Sequence, residues 1–178
     1  MNRATGSNGR AGPVKKLKIK PLKLKPKLPA DFVESTWRKL KSAIDAVFQE
    51  SQVQYSLEVL YRAAEDLCLH KKAELVYGNL QKECEAQVVK VLGALTPLQS
   101  VEPASFLKEL EKAWQVYCNQ LLTLRSIFLY LDRTFVLQQS TLKSIFDMGL
   151  HLFRQQIEKS PATERTLSAG LVEMVTQE

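Results

Sequence analysis

The chain has 178 residues, of which 45% are hydrophobic and 25% are charged, and its formal net charge is +6. No apolar stretch approaches the roughly 20 residues that cross a bilayer, and the N-terminus lacks the apolar core of a secretory signal, so we expect an intracellular protein without a membrane partner. The charge is uneven: residues 1–29 carry nine of the 25 basic residues and no acid, which leaves 16 basic against 19 acidic residues in the rest of the chain.

The N-terminal segment divides into two parts. Residues 1–13 are small, polar and glycine-containing, which predicts disorder. The run VKKLKIKPLKLKPKLP follows, and we call residues 14–28 of it the basic leader. Its apolar residues alternate with lysine as in a strand, but the alternation shifts by one residue after Pro21, and Pro21 and Pro26 cannot donate a ladder hydrogen bond. Two short extended pieces are therefore predicted instead of one strand.

Helical periodicity begins after this segment. A first helix is predicted from a cap at Ser35 or Thr36 to about Gln49, and a second helix follows a cap at Ser56. A third helix carries an apolar stripe from Leu75 onward. It is predicted to close at Gly93 and Pro97.

The strongest pattern starts after Pro103 and predicts one helix of roughly 33 residues, since no glycine or proline interrupts it. Its apolar residues are Leu107, Leu110, Trp114, Tyr117, Leu121, Leu124, Phe128, Leu131 and Phe135. A second stripe of Leu122, Leu129 and Val136 lies on another side of the distal half. This stripe indicates either a further neighbouring helix of the bundle or an exposed partner surface.

Two more helices complete the pattern. One is predicted to start from a cap at Ser140 or Thr141, with Gly149 permitting a close helix approach, and the last opens near Thr163 after the break at Pro161. No strand is needed after residue 34. We predict an all-α antiparallel helical bundle over residues 35–160, an extended or disordered basic segment over 1–34, and the start of a further unit over 161–178.

The sequence contains no pattern that is typical of catalysis. Cys68, Cys84 and Cys118 form no CxxC pair, and the chain has only two histidines, so we predict buried structural thiols and no metal site. Nucleotide-binding and hydrolase motifs are absent. We interpret Asp132, Arg133 and Asp147 as helix-surface charges. The sequence therefore favours a binding protein that is not an enzyme and needs no cofactor.

Several runs resemble the N-terminal region of the cullins, and within that family they resemble the fourth type most. They are WRKLKSAI from Trp37, LYRAAEDLCLHK from Leu60, YGNLQKECE from Tyr77 and LRSIFLYLDRTFVLQQSTLKSIFDMGLHLFR from Leu124. The last run is the most specific. The loops SQVQYSLEV and TPLQSVEP depart from the forms expected of the family.

The resemblance implies a first cullin repeat of five helices, the opening helix of a second repeat, and an adaptor site. In the family the site belongs to the second helix and to the helix with the YLDR motif of the first repeat, and in the fourth type an N-terminal extension also runs along the adaptor. Helical faces and the shift in the leader then suggest these adaptor contacts: Leu17, Ile19, Leu22, Leu24, Leu57, Glu58, Tyr61, Ala64, Glu65, Ser126, Leu129, Arg133 and Val136. Tyr61 is the expected anchor, although a half-buried core tyrosine is the alternative.

The resemblance further implies a non-catalytic scaffold subunit of a cullin–RING ubiquitin ligase, in the nucleus and cytoplasm. Its expected partner is the propeller-type damaged-DNA-binding adaptor. The RING subunit is not expected to bind, because the family's RING-binding C-terminal half is not in these residues.

The alternative from composition is a binder of nucleic acid or anionic surfaces acting through the basic tail. Direct nucleic-acid binding is the less favoured reading because the leader has no aromatic residue to stack on bases. The leader could also serve as a nuclear import signal.

Overall fold

The computed structural model describes residues 29–97 and 103–176. The described residues form α1 (Phe32–Phe48), α2 (Leu57–Leu69), α3 (Ala73–Leu95), α4 (Pro103–Ile127), α5 (Leu129–Thr134), a 3₁₀ turn (Val136–Gln138), α6 (Ile145–Glu158) and α7 (Pro161–Thr176). The predicted all-α class is confirmed. The basic leader, with its four predicted contact residues, lies outside the described ranges.

The helix α4 forms the centre of the bundle, where it contacts α1, α2, α3, α6 and α7. Its predicted apolar stripe is the core: Tyr117, Leu121 and Leu124 are at most 1% exposed. From the neighbouring helices, Leu40, Leu60 and others pack around it without solvent contact. Because this stripe continues over seven turns, several helices can bury their own apolar faces against α4.

The predicted long helix is interrupted at Phe128, which divides it into α4 and α5. Two hydroxyls lie just before the break and donate to the carbonyl four residues back: Thr123 Oγ1 to Asn119 at 3.1 Å and Ser126 Oγ to Leu122 at 3.0 Å. Such bonds compete with the main-chain hydrogen bonds of a helix and often bend it. The apolar period therefore predicted the stripe correctly but not the interruption of the helix at Phe128.

Two predicted helix starts are corrected. The helix α1 begins at Phe32, so Ser35 lies in its first turn, where its Oγ donates to the Phe32 carbonyl at 3.2 Å. The Phe32 ring contacts the His70 ring edge-on, with centroids 5.3 Å apart, and this contact stabilises the additional helical turn. The helix α6 begins at Ile145 and not after Ser140, because Ser144 caps it by accepting from the Asp147 N–H at 3.1 Å.

Other boundaries agree more closely. Ser56 caps α2 as predicted, accepting from the Val59 N–H at 3.4 Å. At the end of α3 the helix passes through Gly93 and stops at Leu95, so Gly93 is not the terminating residue. The last helix begins at Pro161, two residues before Thr163, which fits the preference of proline for the first helical turn.

Gly149 brings α6 against α4 as predicted. A Cβ at this position would overlap the side chain of Leu121, which is fully buried. The buried Tyr117 hydroxyl also donates to the Gly149 carbonyl at 3.3 Å. The two helices therefore pack at a distance that only glycine permits.

We expect Gly149→Ala to lower the free energy of unfolding by about 1–3 kcal/mol, because Leu121 would have to move within a filled core. Chemical denaturation measures the change. Gly78→Ala is the matched control, since Gly78 lies inside α3 and an added Cβ there meets nothing within 4 Å. That variant should gain roughly 0.5–1 kcal/mol from helix propensity. Equal effects of the two substitutions would contradict the close approach.

Candidate partner-binding groove

An open groove runs between α2 and the distal part of α4 with α5. It has a volume of about 700 Å³, and its lining residues are Leu57, Glu58, Tyr61, Leu122, Arg125, Ser126 and Leu129. Two of its leucines are unusually accessible: Leu57 is 54% exposed and Leu122 is 48% exposed. Exposed leucines on both walls of one groove indicate a surface that another protein covers.

The local structure explains why these side chains remain outside the core. The Ser56 cap starts α2 at Leu57. The first two turns of α2 line the groove beside α4, whereas Leu60 and Leu67 point into the core. Tyr61 is half-buried and packs edge-on against Tyr130 of α5, with ring centroids 6.3 Å apart. This contact restrains the ring at the groove wall, so little side-chain entropy remains to be lost on binding.

The charges beside the groove differ in how strongly they are held. Glu58 and Arg62 form an ion pair of 2.8 Å. Their side chains are 72% and 70% exposed, so the pair contributes little to stability. Arg125 Nε lies 3.7 Å from Asp132 Oδ2. Asp132 itself is only 7% exposed, and its Oδ1 accepts from the Ile145 N–H at 3.0 Å.

Asp132 is therefore a buried structural carboxylate, which corrects its interpretation as a surface charge. Its carboxylate lies at the N-terminus of α6, where the helix presents N–H groups without partners in the helix and partial positive charge. In this position it connects the YLDR helix to α6 and faces an arginine of the groove. Arg133 and Asp147 are exposed, as that interpretation expected.

The structure brings most of the predicted site residues of α2, α4 and α5 together. Five of them line the groove, namely Leu57, Glu58, Tyr61, Ser126 and Leu129. Glu65 is half-buried further along α2, and Arg133 is exposed on α5. The role of these residues as adaptor contacts stays a prediction.

Two of the predicted contacts are corrected. Ala64 is 0% exposed because its side of α2 faces the bundle. Val136 is 3% exposed, since the chain leaves the helix after Thr134 and turns into the 3₁₀ segment, which ends the stripe of Leu122 and Leu129. Neither side chain is accessible to a partner on the surface described.

The groove also contains two residues that the site prediction omitted. Leu122 belongs to the second stripe, for which a partner surface is one of the two interpretations, and it lies two turns before Leu129, but it is not among the predicted contacts. Arg125 lies three residues after Leu122 and four before Leu129, so helical spacing alone places it on the same face. This spacing was the available signal for both residues.

The three cysteine thiols are buried or partly buried, and burial raises the pKa of each. Burial raises the pKa of Cys84 to about 12 and that of Cys68 to about 11, so both thiols stay protonated at neutral pH. Cys84 is buried as predicted, whereas Cys68 and Cys118 are partly exposed. Within residues 29–97 and 103–176 no three His, Cys, Asp or Glu residues gather as a metal site, and no helix combines the length and apolarity of a membrane span.

Comparison with known proteins agrees with this architecture. The family description that matches residues 37–178 is that of the cullin alpha solenoid domain. Human cullin-4A is 41% identical over 177 residues, which cover 98% of this chain but 23% of the human protein. Mouse cullin-4A is 39% identical over 172 residues, or 96% of this chain and 22% of the mouse protein.

A more distant relative gives the same result. Cullin-4 of Dictyostelium discoideum is 38% identical over 164 residues, covering 89% of this chain and 20% of that protein. The chain thus spans less than a quarter of the length of these curated relatives. The family match covers most of the chain, and the helical bundle agrees with a solenoid repeat. This protein therefore belongs to the cullin family and is most similar to cullin-4 within it.

Proposed function

We propose that this chain is the adaptor-binding part of a cullin scaffold for a ubiquitin ligase, and that it has no catalytic role of its own. The partner is a propeller-type damaged-DNA-binding adaptor. The observation that carries the proposal is the groove with exposed Leu57 and Leu122 on facing helices. It lies between the second helix and the YLDR helix, the two elements to which the resemblance assigns adaptor binding.

The physical character of the groove fits such a partner. Exposed leucines and one restrained tyrosine provide an apolar centre, while Glu58 and Arg125 add charge to its lining. Stable protein interfaces combine an apolar core and a polar rim in this way. Leu17, Ile19, Leu22 and Leu24 of the basic leader extend the proposed contact along the adaptor, with alternate side chains entering small pockets.

We place this proposed role in the nucleus and the cytoplasm.

Binding of the purified chain to the purified propeller adaptor tests this function. We expect a 1:1 complex by size-exclusion chromatography with light scattering, and saturable heat in calorimetry at about 150 mM salt. Absence of a complex with the adaptor would contradict the proposal.

The basic leader supports a second candidate, which is binding to nucleic acid or anionic membranes. Seven lysines without an acid would release counterions on binding, so affinity for duplex DNA or for phosphatidylserine vesicles should fall steeply between 50 and 200 mM salt. Tight, salt-sensitive binding to these probes together with no adaptor complex would favour this candidate.

A further inference from the structure

Arg125 is the cationic side chain in the lining of the groove between α2 and α4. It lies on one helical face with Leu122 and Leu129, and all three side chains line the groove. The Arg125 side chain is 51% exposed. The guanidinium is therefore accessible to a partner and lies beside the apolar residues that the partner would cover.

The Arg125 side chain is restrained from within the protein. Its Nε lies 3.7 Å from Asp132 Oδ2, and the other oxygen of that carboxylate accepts from the Ile145 N–H at 3.0 Å. Asp132 is only 7% exposed, so this contact approaches the guanidinium from its buried side. Because an ion pair already limits the rotamers of Arg125, less side-chain entropy is lost when a partner binds to it.

The other donors of Arg125 have no partner within residues 29–97 and 103–176. The contact with Asp132 is its one ion pair in those ranges, and it makes no hydrogen bond there. A guanidinium has five N–H donors in a planar fork, and two of them can bind the two oxygens of a carboxylate together. Arg125 can therefore bind a carboxylate of another molecule.

The neighbouring charges leave a positive excess at Arg125. The Asp132 carboxylate is shared between Arg125 and the N-terminus of α6, which carries partial positive charge. Glu58, the carboxylate in the groove lining, is paired with Arg62 at 2.8 Å. An anionic ligand would therefore be attracted to the Arg125 side of the groove.

We propose that Arg125 is a specificity-determining residue of this groove, and that the partner presents an acidic side chain flanked by apolar ones. The partner's carboxylate forms a two-pronged ion pair with the guanidinium, and the flanking groups cover the exposed leucines. Covering the leucines also removes water around the ion pair, which strengthens its electrostatic attraction. Assignment of this partner to the adaptor rests on the proposed function, whereas the preference of the groove for an apolar carboxylate does not.

Calorimetric titration of the adaptor with variants of the chain tests the role of Arg125. Arg125→Gln should weaken binding by about 30-fold or more, because the partner's carboxylate would be buried without a cation. Arg125→Lys keeps the charge beside Asp132 but loses the planar fork, so its loss should be smaller. Circular dichroism should show unchanged helix content for both variants.

Arg154→Gln is the matched control. Arg154 is an exposed arginine of α6 that pairs with Glu158 at 2.7 Å, and it does not line the groove. Its substitution removes the same kind of ion pair elsewhere on the surface, so affinity for the adaptor should stay within about twofold. Equal affinities of the Arg125→Gln and Arg154→Gln variants would overturn the proposal.

A scan of the adaptor identifies the acidic residue that meets Arg125. Exposed Asp and Glu residues of the adaptor are changed one at a time to Asn or Gln. At least one change should weaken binding of the unchanged chain and cause no further loss with Arg125→Gln, since residues in contact are not additive. Additive losses at every acidic position would contradict a carboxylate contact.

A small probe tests the groove without the adaptor. Isocaproate combines a leucine-like chain with a carboxylate, and isocaproamide is its neutral counterpart. In NMR spectra of the isotope-labelled chain, isocaproate should shift the Nε–H resonance of Arg125 saturably and leave that of Arg154 unchanged, while isocaproamide should shift neither. Equal responses to the acid and the amide would overturn the carboxylate preference. Selectivity for the acid without any adaptor complex would contradict the proposed function alone.

Discussion

Leu57→Asp is expected to weaken binding of the propeller adaptor by at least about 100-fold, which corresponds to roughly 2.7 kcal/mol. The side chain is 54% exposed in the free protein, so a carboxylate there is solvated and the bundle loses little. In a complex the same carboxylate would lie in an apolar interface without a partner, and its desolvation is costly. Calorimetric titration measures the loss, while circular dichroism should show unchanged helix content.

The matched control for this variant is Leu75→Asp. Leu75 is 48% exposed on α3 and does not line the groove, so the same change of chemistry is made at similar exposure on another face. Its affinity for the adaptor should remain within about twofold of the unchanged chain, as expected for a surface substitution away from an interface. Equal losses for both variants, or normal binding by Leu57→Asp, would argue against the groove as the adaptor site.

Tyr61 is a less selective probe of the same site. It packs against Tyr130, so truncation to alanine removes a contact within the bundle as well as any contact with a partner. Leu57 is more exposed than Tyr61, so its substitution disturbs the bundle less, and it is the preferred position for the decisive experiment.

Asp132→Ala is expected to lower the free energy of unfolding by about 2–4 kcal/mol. The substitution leaves the buried Ile145 N–H without an acceptor and removes the carboxylate that faces Arg125. A hydrogen bond to a charged group contributes roughly 1.5–3 kcal/mol, and the carboxylate also interacts with the N-terminal dipole of α6. Urea denaturation followed by circular dichroism measures the difference.

Two further variants separate the contributions at Asp132. Asp132→Asn keeps an oxygen that can accept from the Ile145 N–H, so it should cost less than the alanine variant. Asp66→Ala is the control, because Asp66 is an exposed residue of α2 and its change should stay within about 0.5 kcal/mol. If Asp132→Ala is no more destabilising than Asp66→Ala, the carboxylate does not hold α6 in place.

Most of the fold follows from local patterns in the sequence. Ser56 predicts the start of α2 because a side-chain acceptor at that position satisfies an N–H of the first turn, wherever the helix later packs. The stripe from Leu107 to Leu131 predicts the central helix because a continuous apolar face must be covered. Gly149 predicts a close approach because glycine has no Cβ, although only the packing identifies Leu121 as the side chain it meets.

The candidate site was partly accessible from the same patterns. Spacing along α2 and α4 selects Leu57, Tyr61, Ser126 and Leu129, and the structure places them along one groove. Spacing does not reveal which faces the neighbouring helices cover. Ala64 shares a turn with the groove residues and is nevertheless buried, because the side of α2 that packs on the bundle is wide enough to include it.

Local patterns specify the helical class, the central apolar stripe, the capped start of α2 and the uneven charge, since each depends on residues close together in the chain. Packing between the helices buries Asp132 against the start of α6, turns Val136 inward and leaves Leu57 and Leu122 exposed on the walls of one groove. Those features require contacts between residues far apart in the chain, and such contacts are set by the directions in which the helices pack and not by the period of any one of them.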